Sequence, residues 1–223
     1  MALILFDLDG TLVDSAPDLC ASLNRIRGEE GLDPLPFETL REYAGSGARG
    51  LLKIGFNITD THERFSELKE RFLADYQKHC AEEVTCFEGV AEMLDGIESM
   101  GCQWGVVTNK FQCFTDPIMK KLGLFNRAAV IVSGDATGKL KPHPDNMLIA
   151  LEKTHAQASC TPYVGDDIRD SKVAATLAMP FAAASWGYLR SEFPIKEWRA
   201  DLIAHTPLEI ITWLKSLQAH NCL

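Results

Sequence analysis

Three aspartates occupy positions from which their carboxylates could gather around one cation. Asp7 and Asp9 are two residues apart, directly after a short apolar run, and Asp166 follows another apolar run. Clustered carboxylates repel one another unless a proton or a cation lies between them. Mg²⁺ binds one or two carboxylates together with waters and substrate phosphate oxygens, which suits this sparse set. The pattern predicts a magnesium site at which one aspartate attacks phosphorus and the other transfers a proton.

Two further side chains would complete such a site. Thr108 follows a third apolar run and offers a hydroxyl donor, and Lys141 brings a positive charge from a loop after a fourth run. Both groups suit the equatorial oxygens of a phosphoryl group, because both stabilise the negative charge on them. The residue types therefore predict phosphoryl transfer from a small molecule.

The apolar runs predict the elements that must position these residues. They cover residues 2–6, 104–107, 129–132, 163–164 and 181–184, with a shorter sixth candidate at 201–203 before a last helix over 207–217. Near-continuous apolar strands are buried on both faces, which is typical of a parallel sheet with helices on either side. Such sheets bind ligands at the carboxyl ends of their strands. We therefore expect an α/β fold, a doubly wound parallel sheet, with the site at that edge.

A long segment separates the first two predicted strands. Much of it has the spacing of amphipathic helices. One shared apolar face is formed by Ala16, Leu19, Leu23 and Ile26, and another by Phe65, Leu68, Phe72 and Tyr76. We expect an α-helical domain over residues 16–82, inserted into a core formed by residues 1–15 and 83–223.

Composition restricts the class of protein and its partners. The chain has 223 residues, of which 46% are hydrophobic, and a net charge of −9, so it can bury a sizeable core while its acidic surface disfavours nucleic acid and anionic membranes. Seven scattered cysteines without a CxxC pair predict reduced, mostly buried thiols in a cytoplasmic protein. The first residues lack the basic and long apolar regions of a signal peptide, and no apolar run approaches the roughly 20 residues of a membrane helix. Monomer and homodimer both remain open.

Four motifs resemble those of the haloacid dehalogenase (HAD) superfamily, and within it the phosphoglycolate phosphatase-like branch. They are Asp7-Leu-Asp9-Gly10-Thr11, Thr108-Asn109, Lys141-Pro142 and Gly165-Asp166-Asp167-x-x-Asp170, and they span nearly the whole chain. The resemblance implies a Mg²⁺-dependent phosphatase with an HAD-like core, in which the inserted helical domain is a mobile cap.

The same resemblance implies a role for each matching residue. Asp7 would be the nucleophile, which becomes phosphorylated, and Asp9 the acid/base. Thr108 and Lys141 would hold the phosphate, with Asn109 beside them. Mg²⁺ would be held by Asp7, the backbone carbonyl of Asp9, and Asp166. Asp170 would orient Lys141 or a metal-bound water, and Asp167 would support the site from behind these residues.

A closer resemblance is to the N-acetylmuramic acid 6-phosphate phosphatases. The similar segments are residues 46–49, 104–110, 164–170 and 186–188. They imply a small phosphomonoester that carries a carboxylate, with N-acetylmuramic acid 6-phosphate favoured over 2-phosphoglycolate, and hence a place in carbohydrate metabolism and peptidoglycan recycling. Arg49 lies in a glycine-rich stretch expected to open a helix, where an arginine suits an anion. It either contacts the substrate or is a solvated surface residue.

Other functions on the same scaffold are less well matched. A dehalogenase attacks carbon and needs neither Asp9 nor a metal, so Asp9 and Asp166 disfavour it. A sugar phosphomutase keeps both aspartates and stays open, as does a broad-specificity sugar phosphatase. A catalytically inactive binding protein is the least favoured, because unneeded clustered acids carry an electrostatic cost.

Several neighbours of the motifs have structural interpretations. Asp14 is expected to cap the first helix of the inserted domain, ahead of Ser15 and Pro17. Solvated side chains are expected at Lys110 and Lys139, and a surface ion pair at Arg169. His143 lies between two prolines, which indicates a structural loop role rather than substrate contact. The segment Trp186-Gly187-Tyr188 is consistent with packing and a turn.

Overall fold

A computed structural model describes residues 2–190 and 192–219 of the chain. Its strands are β1 (Leu3–Phe6), β2 (Val13–Asp14), β3 (Thr85–Cys86), β4 (Gln103–Val107), β5 (Val130–Val132), β6 (Tyr163–Gly165), β7 (Phe181–Ala184) and β8 (Leu202–Ala204). Its α-helices are α1 (Ala16–Glu29), α2 (Phe37–Ala44), α3 (Gly47–Phe56), α4 (Phe65–His79), α5 (Val90–Ser99), α6 (Gln112–Lys121), α7 (Asp145–Thr154), α8 (Ile168–Thr176) and α9 (Pro207–Ala219).

Six of the strands form one parallel sheet in the order β5-β4-β1-β6-β7-β8. The central strand β1 is completely buried, as its run of four apolar residues predicts. In the sheet β1 has β4 on one side and β6 on the other, and later strands continue outward on both sides, so the strand order reverses at β1. The carboxyl end of β1 is therefore a switch point, where parallel sheets bind ligands.

The chain divides into two compact units, the first of which comprises Met1–Val13 and Cys86–Leu223. This unit contains the six-stranded sheet and helices α5 to α9. One face of the sheet buries a cluster that includes Leu5, Val132 and Phe181, against which Met147 and Val173 of α7 and α8 pack. Helices thus pack on the face of the sheet, and the loops that follow the strands lie at its carboxyl edge.

The second unit, Asp14–Thr85, is helical. Helix α1 packs against each of α2, α3 and α4. It starts with Ala16 and Pro17, and a proline is tolerated in a first helical turn because no intrahelical partner awaits its missing N–H. Buried Asp18 accepts hydrogen bonds from the backbone N–H groups of Glu83 (2.9 Å) and Val84 (3.1 Å), which ties the end of the unit to its first helix.

The predicted α/β class and parallel sheet are confirmed, including the short sixth strand at β8. The predicted strands differ from the observed ones by at most one residue at each end. The chain passes between the units at 13/14 and 85/86, where the sequence predicted 15/16 and 82/83. Both passages lie within the two-residue strands β2 and β3, which the prediction omitted because so short a ladder leaves no hydrophobic pattern.

The structure also bears on the predictions about membrane helices and about the cysteines. Within the described residues, no helix is long and apolar enough to cross a membrane. The six cysteines of that part of the chain are free thiols, and three of them, Cys20, Cys80 and Cys102, are buried. Cys222 lies outside the described residues.

Candidate active site

Three carboxylates meet at the carboxyl edge of the sheet. Asp7 follows β1, Asp166 follows β6, and Asp170 lies in the first turn of α8. One oxygen from each lies within 4.8 Å of the other two. The Leu8 backbone N–H donates to Asp7 Oδ1 (2.8 Å), which fixes that carboxylate at the turn after its strand. Residues far apart in the chain thus form one acidic cluster, because the ends of neighbouring parallel strands meet there.

Lys141 is the cation of this cluster. Its ammonium group lies 2.8 Å from Asp7 Oδ1 and 2.8 Å from Asp170 Oδ1, with a side chain only 2% exposed. It also donates to the backbone carbonyl of Val107 (3.1 Å). Burial lowers the pKa of Lys141, but Asp170 and Asp7 outweigh it and raise the pKa above its usual value. Lys141 is therefore held as a fixed positive charge.

Tyr163 is a member of this network that the sequence analysis missed. Its buried hydroxyl accepts from Lys141 Nζ (2.8 Å) and donates to Asp170 Oδ1 (2.9 Å). Burial and the charge of Asp170 raise its pKa well above the usual value, so it stays a neutral phenol. A signal was present in the sequence, since a tyrosine in an otherwise apolar buried strand needs a partner for its hydroxyl.

Asn109 was predicted to accompany the phosphate ligands, and its side chain is engaged on Lys141. Its Oδ1 accepts from the backbone N–H of Lys141 (2.7 Å), and its Nδ2 donates to the backbone carbonyl of the same residue (3.2 Å). The amide thus fastens the Lys141 loop to the end of β4. This geometry favours a positioning role over direct phosphate contact.

Thr108 lies at the same strand end and is buried. Its backbone N–H donates to Val132 (3.0 Å), which continues the pairing of β4 with β5. Its Oγ1 accepts from the backbone N–H of Lys110 (3.1 Å). The hydroxyl oxygen is thus held in place at the edge of the sheet, as a group that must bind a phosphoryl oxygen requires.

Asp9 is paired with a lysine, and this corrects the prediction that Lys110 is solvated. Lys110 Nζ lies 3.0 Å and 3.1 Å from the two oxygens of Asp9, and the lysine side chain is only 6% exposed. Lys139 is solvated as expected, with a side chain 59% exposed and an ion pair to Asp145. The sequence could not separate these two lysines, because their difference lies in partners distant along the chain.

Asp166 is held by the loop after β7, in addition to its own strand. Its Oδ2 accepts from the backbone N–H of Tyr188 (2.9 Å) and its Oδ1 from the hydroxyl of Thr11 (2.9 Å). The Trp186 indole N–H donates to the carbonyl of Thr11 (3.0 Å). The segment Trp186-Gly187-Tyr188, for which only packing and a turn were expected, therefore builds the site.

Two glycines make this close approach possible. A Cβ on Gly10, whose φ is +82°, would lie 2.0 Å from Asp166 Oδ2. A Cβ on Gly187 would lie 2.3 Å from the carbonyl oxygen of Gly10 and 2.4 Å from the Cβ of Asp166. All three distances are far shorter than real contacts, so only glycine lets these two loops close around the carboxylate.

The electrostatics of the cluster test whether a divalent cation fits it. Three carboxylates meet in it, and Lys141 pairs with two of them, Asp7 and Asp170. Burial, together with Asp7 and Asp170, raises the pKa of Asp166 well above its usual value. Burial also raises the pKa of Asp7 to about 6, against the opposing effect of Lys141. The cluster thus needs further positive charge to ionise fully, and its oxygen ligands are those that Mg²⁺ prefers.

Asp167 and Asp170 form a capping box at the start of α8. Asp167 accepts from the backbone N–H of Arg169 (2.8 Å), and Asp170 Oδ2 accepts from the backbone N–H of Asp167 (3.0 Å). Asp167 also pairs with the guanidinium groups of Arg169 (2.7 Å) and Arg190 (3.5 Å). Burial raises the pKa of Asp167, but Arg169 outweighs it and the pKa is lowered. The ion pair expected for Arg169 is thus present.

The remaining candidates have other surroundings. Arg49 lies near the start of α3 with a side chain 70% exposed, and it pairs with Asp60 in the same helical unit. His143 is exposed. Asp14 accepts from the backbone N–H of Ala16 (3.2 Å) and pairs with Arg41 (2.7 Å), so it supports the start of α1 from one residue before the cap position.

Comparison with known proteins gives independent evidence about the family of this chain. The model of the family described as haloacid dehalogenase-like hydrolase matches residues 4–184. A phosphoglycolate phosphatase of Xanthomonas campestris pv. campestris is 38% identical over 207 residues, which cover 93% of this chain and 93% of that protein. An N-acetylmuramic acid 6-phosphate phosphatase of Pseudomonas aeruginosa is 36% identical over 208 residues, covering 93% and 92%. The crystal structure of a predicted phosphoglycolate phosphatase of Haemophilus somnus matches with a TM-score of 0.83 at 25% identity, covering 96% of this chain and 98% of that one.

Proposed function

The chain belongs to the haloacid dehalogenase-like hydrolase family and is a phosphatase, and from this premise we propose that it hydrolyses a small carboxylated phosphomonoester through an aspartyl-phosphate on Asp7. The observation that carries the proposal is the position of Asp7. It lies at the switch point of the sheet, with Lys141 2.8 Å from its Oδ1 and two further carboxylates beside it. A carboxylate placed in this way can attack phosphorus, because nearby positive charge reduces its repulsion by the phosphoryl group.

The first half of the reaction forms the covalent intermediate. An oxygen of Asp7 bonds to phosphorus while the bond to the ester oxygen breaks, and Asp9 gives its proton to that departing oxygen. Thr108 donates a hydrogen bond to a phosphoryl oxygen, and Lys141 keeps its charge beside the oxygens of Asp7 and the transferred group. Asn109, Tyr163 and Asp170 hold Lys141 in this position.

The second half returns Asp7 to its starting state. The Asp9 carboxylate takes a proton from a water molecule as the water oxygen bonds to phosphorus, and the bond between phosphorus and Asp7 breaks. Inorganic phosphate is then released. The two aspartates thus perform different tasks because they have different neighbours.

Mg²⁺ is the proposed cofactor. Asp7, Asp166 and the backbone carbonyl of Asp9 would hold it, with Asp170 as a further oxygen nearby, and it would neutralise charge on the phosphoryl oxygens. Thr11 and Tyr188 orient Asp166 through their hydrogen bonds to its two oxygens. Such supporting bonds fix the direction of a ligand before the cation binds.

The substrate class follows from the relatives and from charge. The names of the relatives above point to N-acetylmuramic acid 6-phosphate or to 2-phosphoglycolate, and they support the two equally. Both compounds carry a carboxylate in addition to the phosphate. A chain with a net charge of −9 must offer such a ligand a specific cation, for which we propose Arg49. The free cysteines are consistent with a cytoplasmic enzyme.

Matched pairs of substrates test the proposal. Phosphate release would be measured with Mg²⁺ on N-acetylmuramic acid 6-phosphate against N-acetylglucosamine 6-phosphate, which lacks the carboxylate, and on 2-phosphoglycolate against 2-hydroxyethyl phosphate. We expect the carboxylated member of at least one pair to be hydrolysed at least about tenfold more efficiently, or about 1.4 kcal/mol in transition-state binding. Equal efficiency within both pairs would leave a broad-specificity phosphatase instead.

Asp7→Asn tests the nucleophile in the same assay. Its activity should fall to background with every substrate, because the amide cannot form the acyl phosphate. Asp95→Asn is the matched control, since Asp95 is 68% exposed on α5 and forms a surface ion pair with Arg127. If Asp7→Asn released phosphate at nearly the rate of the unmodified protein, the covalent mechanism would be ruled out.

A further inference from the structure

Each of the two aspartates after β1 is paired with a lysine of its own. Asp7 is paired with Lys141, and Asp9 with Lys110. The two lysines reach the site from different parts of the sheet edge, one from the loop after β5 and the other directly after β4. Asp7 and Asp170 of the acidic cluster pair with the first lysine, while the carboxylate of Asp9 lies against the second.

The geometry of Lys110 is that of a built contact. Its ammonium group lies almost equally far from both oxygens of Asp9, at 3.0 and 3.1 Å. Its backbone is anchored at both ends, since its N–H donates to Thr108 Oγ1 (3.1 Å) and its carbonyl accepts from Gly134 (2.8 Å). Burying a lysine side chain is costly unless the charge is paired. The side chain of Lys110 is only 6% exposed, and its pairing with Asp9 offsets part of that cost.

We propose that Lys110 is a positioning residue for the acid/base step, an inference that rests on the function proposed above. Without a partner, Asp9 would repel Asp7 and would compete for the cation of the acidic cluster. Lys110 contacts both oxygens of Asp9 in the substrate-free protein and so holds Asp9 apart from that cluster. In the reaction one of these oxygens gives its proton to the leaving oxygen and later takes one from the attacking water, while the other keeps its contact with Lys110. Lys110 keeps its proton throughout, and only Asp9 exchanges one.

The chemistry of the leaving group separates this role from a structural one. An alkyl phosphate needs a proton on its departing oxygen, whereas the phenolate of 2,4-dinitrophenyl phosphate leaves without one. The ratio kcat/KM reports the step that phosphorylates Asp7. A residue that acts through Asp9 should therefore affect kcat/KM for the alkyl substrate and spare that for the activated aryl substrate.

The test uses Lys110→Met, which keeps the length of the side chain and removes its charge. We expect kcat/KM for the best alkyl substrate to fall about 10- to 100-fold, since acid–base catalysis as a whole supplies about 10²–10⁴-fold, while 2,4-dinitrophenyl phosphate changes less than about threefold. Lys110→Arg should recover part of the loss. The matched control Lys139→Met removes a solvated lysine and should leave both values unchanged.

A double-mutant cycle with Asp9→Asn completes the test. If Lys110 acts through Asp9, adding Lys110→Met to Asp9→Asn causes no further loss on the alkyl substrate. An additional loss of tenfold in that background, or an equal loss on alkyl and aryl substrates in the single variant, would overturn the inference. Failure of the proposed function would look different, because the unmodified enzyme itself would then release no phosphate from any phosphomonoester.

Discussion

At the scale of single residues, the main feature of the site is the repulsion between its buried carboxylates. Folding raises the pKa of Asp7 from 3.8 to about 6, because burial and Asp170 outweigh Lys141, and it raises that of Asp166 as well. The folded metal-free protein therefore binds more protons than the unfolded chain between these pH values. The resulting contribution to stability is present below the usual pKa of an aspartate and is lost as the pH rises through about 6. Mg²⁺ should restore it above that pH.

This balance predicts the behaviour of Asp166→Asn. The amide can still accept from Tyr188 and donate to the hydroxyl of Thr11, so the packing is kept while one negative charge is removed. In chelator at about pH 7.5, we expect the variant to melt about 2–4 °C above the unmodified protein, or about 1 kcal/mol for a chain of this size. The difference should shrink as the pH falls below about 6, where Asp7 becomes protonated and its repulsion of Asp166 is lost.

Mg²⁺ supplies the control for that measurement by differential scanning calorimetry. It should raise the Tm of the unmodified protein at about pH 7.5 and have little effect on Asp166→Asn, because the ligand set is then incomplete. A metal-free variant that melts below the unmodified protein at this pH would show that the carboxylate stabilises the fold.

At the scale of elements, the start of α8 combines a structural and a functional task. Asp167 and Asp170 cap the same helix, and each accepts a backbone hydrogen bond within that turn. Their other contacts diverge. Asp170 faces inward to Lys141 and Tyr163, whereas Asp167 is paired with Arg169 and Arg190. The capping box therefore fixes the direction of a side chain that belongs to the site.

The two aspartates of this box form a matched pair for mutation. Asp167→Ala and Asp170→Ala should each cost about 1 kcal/mol or more of stability, because each removes part of the cap. Only Asp170→Ala also removes a counter-ion of Lys141, so its kcat should fall at least about 100-fold, against less than about threefold for Asp167→Ala. Thermal melts and phosphate release measured on both variants would check this. Equal losses of activity would contradict the division of tasks.

At the scale of the whole molecule, an acidic chain must bind an anionic substrate. In the unit that contains the sheet, Lys141 and Lys110 are cations of the site, but both are already paired with aspartates. Arg49 is in the helical unit, where it is exposed and pairs with Asp60. Its planar guanidinium could exchange that partner for a substrate carboxylate and hold it through two parallel hydrogen bonds. Substrate selectivity is therefore a property that we assign to the helical unit.

Arg49→Lys tests that assignment. The substitution keeps the charge but loses the two-pronged contact, so kcat/KM on the preferred carboxylated substrate should fall about tenfold, or about 1.4 kcal/mol. Hydrolysis of a small aryl phosphate should be nearly unchanged. Arg25→Lys is the control in the same unit, since Arg25 pairs with Asp75. If Arg49→Lys lowers activity equally on both substrates, or on neither, the carboxylate is bound elsewhere.

Local pattern alone determined the class of fold and the chemistry of the strand ends. The run over residues 3–6 and its counterparts are buried on both faces, and such runs predict a parallel sheet wherever they lie along the chain. Because the carboxyl ends of parallel strands share one edge, the approach of Asp7 to Asp166 and of Lys141 to Asp7 followed from the topology. The turn after β1 is also local, since Gly10 has a φ of +82° there, but the approach of Asp166 to the same glycine is a tertiary feature.

The tertiary structure alone decided which polar side chains pair within that edge. Lys110 and Lys139 look alike in the sequence, yet one is buried against Asp9 and the other is solvated. The hydroxyl of Tyr163 and the backbone N–H of Tyr188 became parts of the site only because distant loops bring Asp170 and Asp166 to them. Side-chain partners depend on distances of a few ångströms between segments far apart in the chain. A periodic pattern shows where a strand ends, but the packing of several strand ends against one another determines which charges meet there.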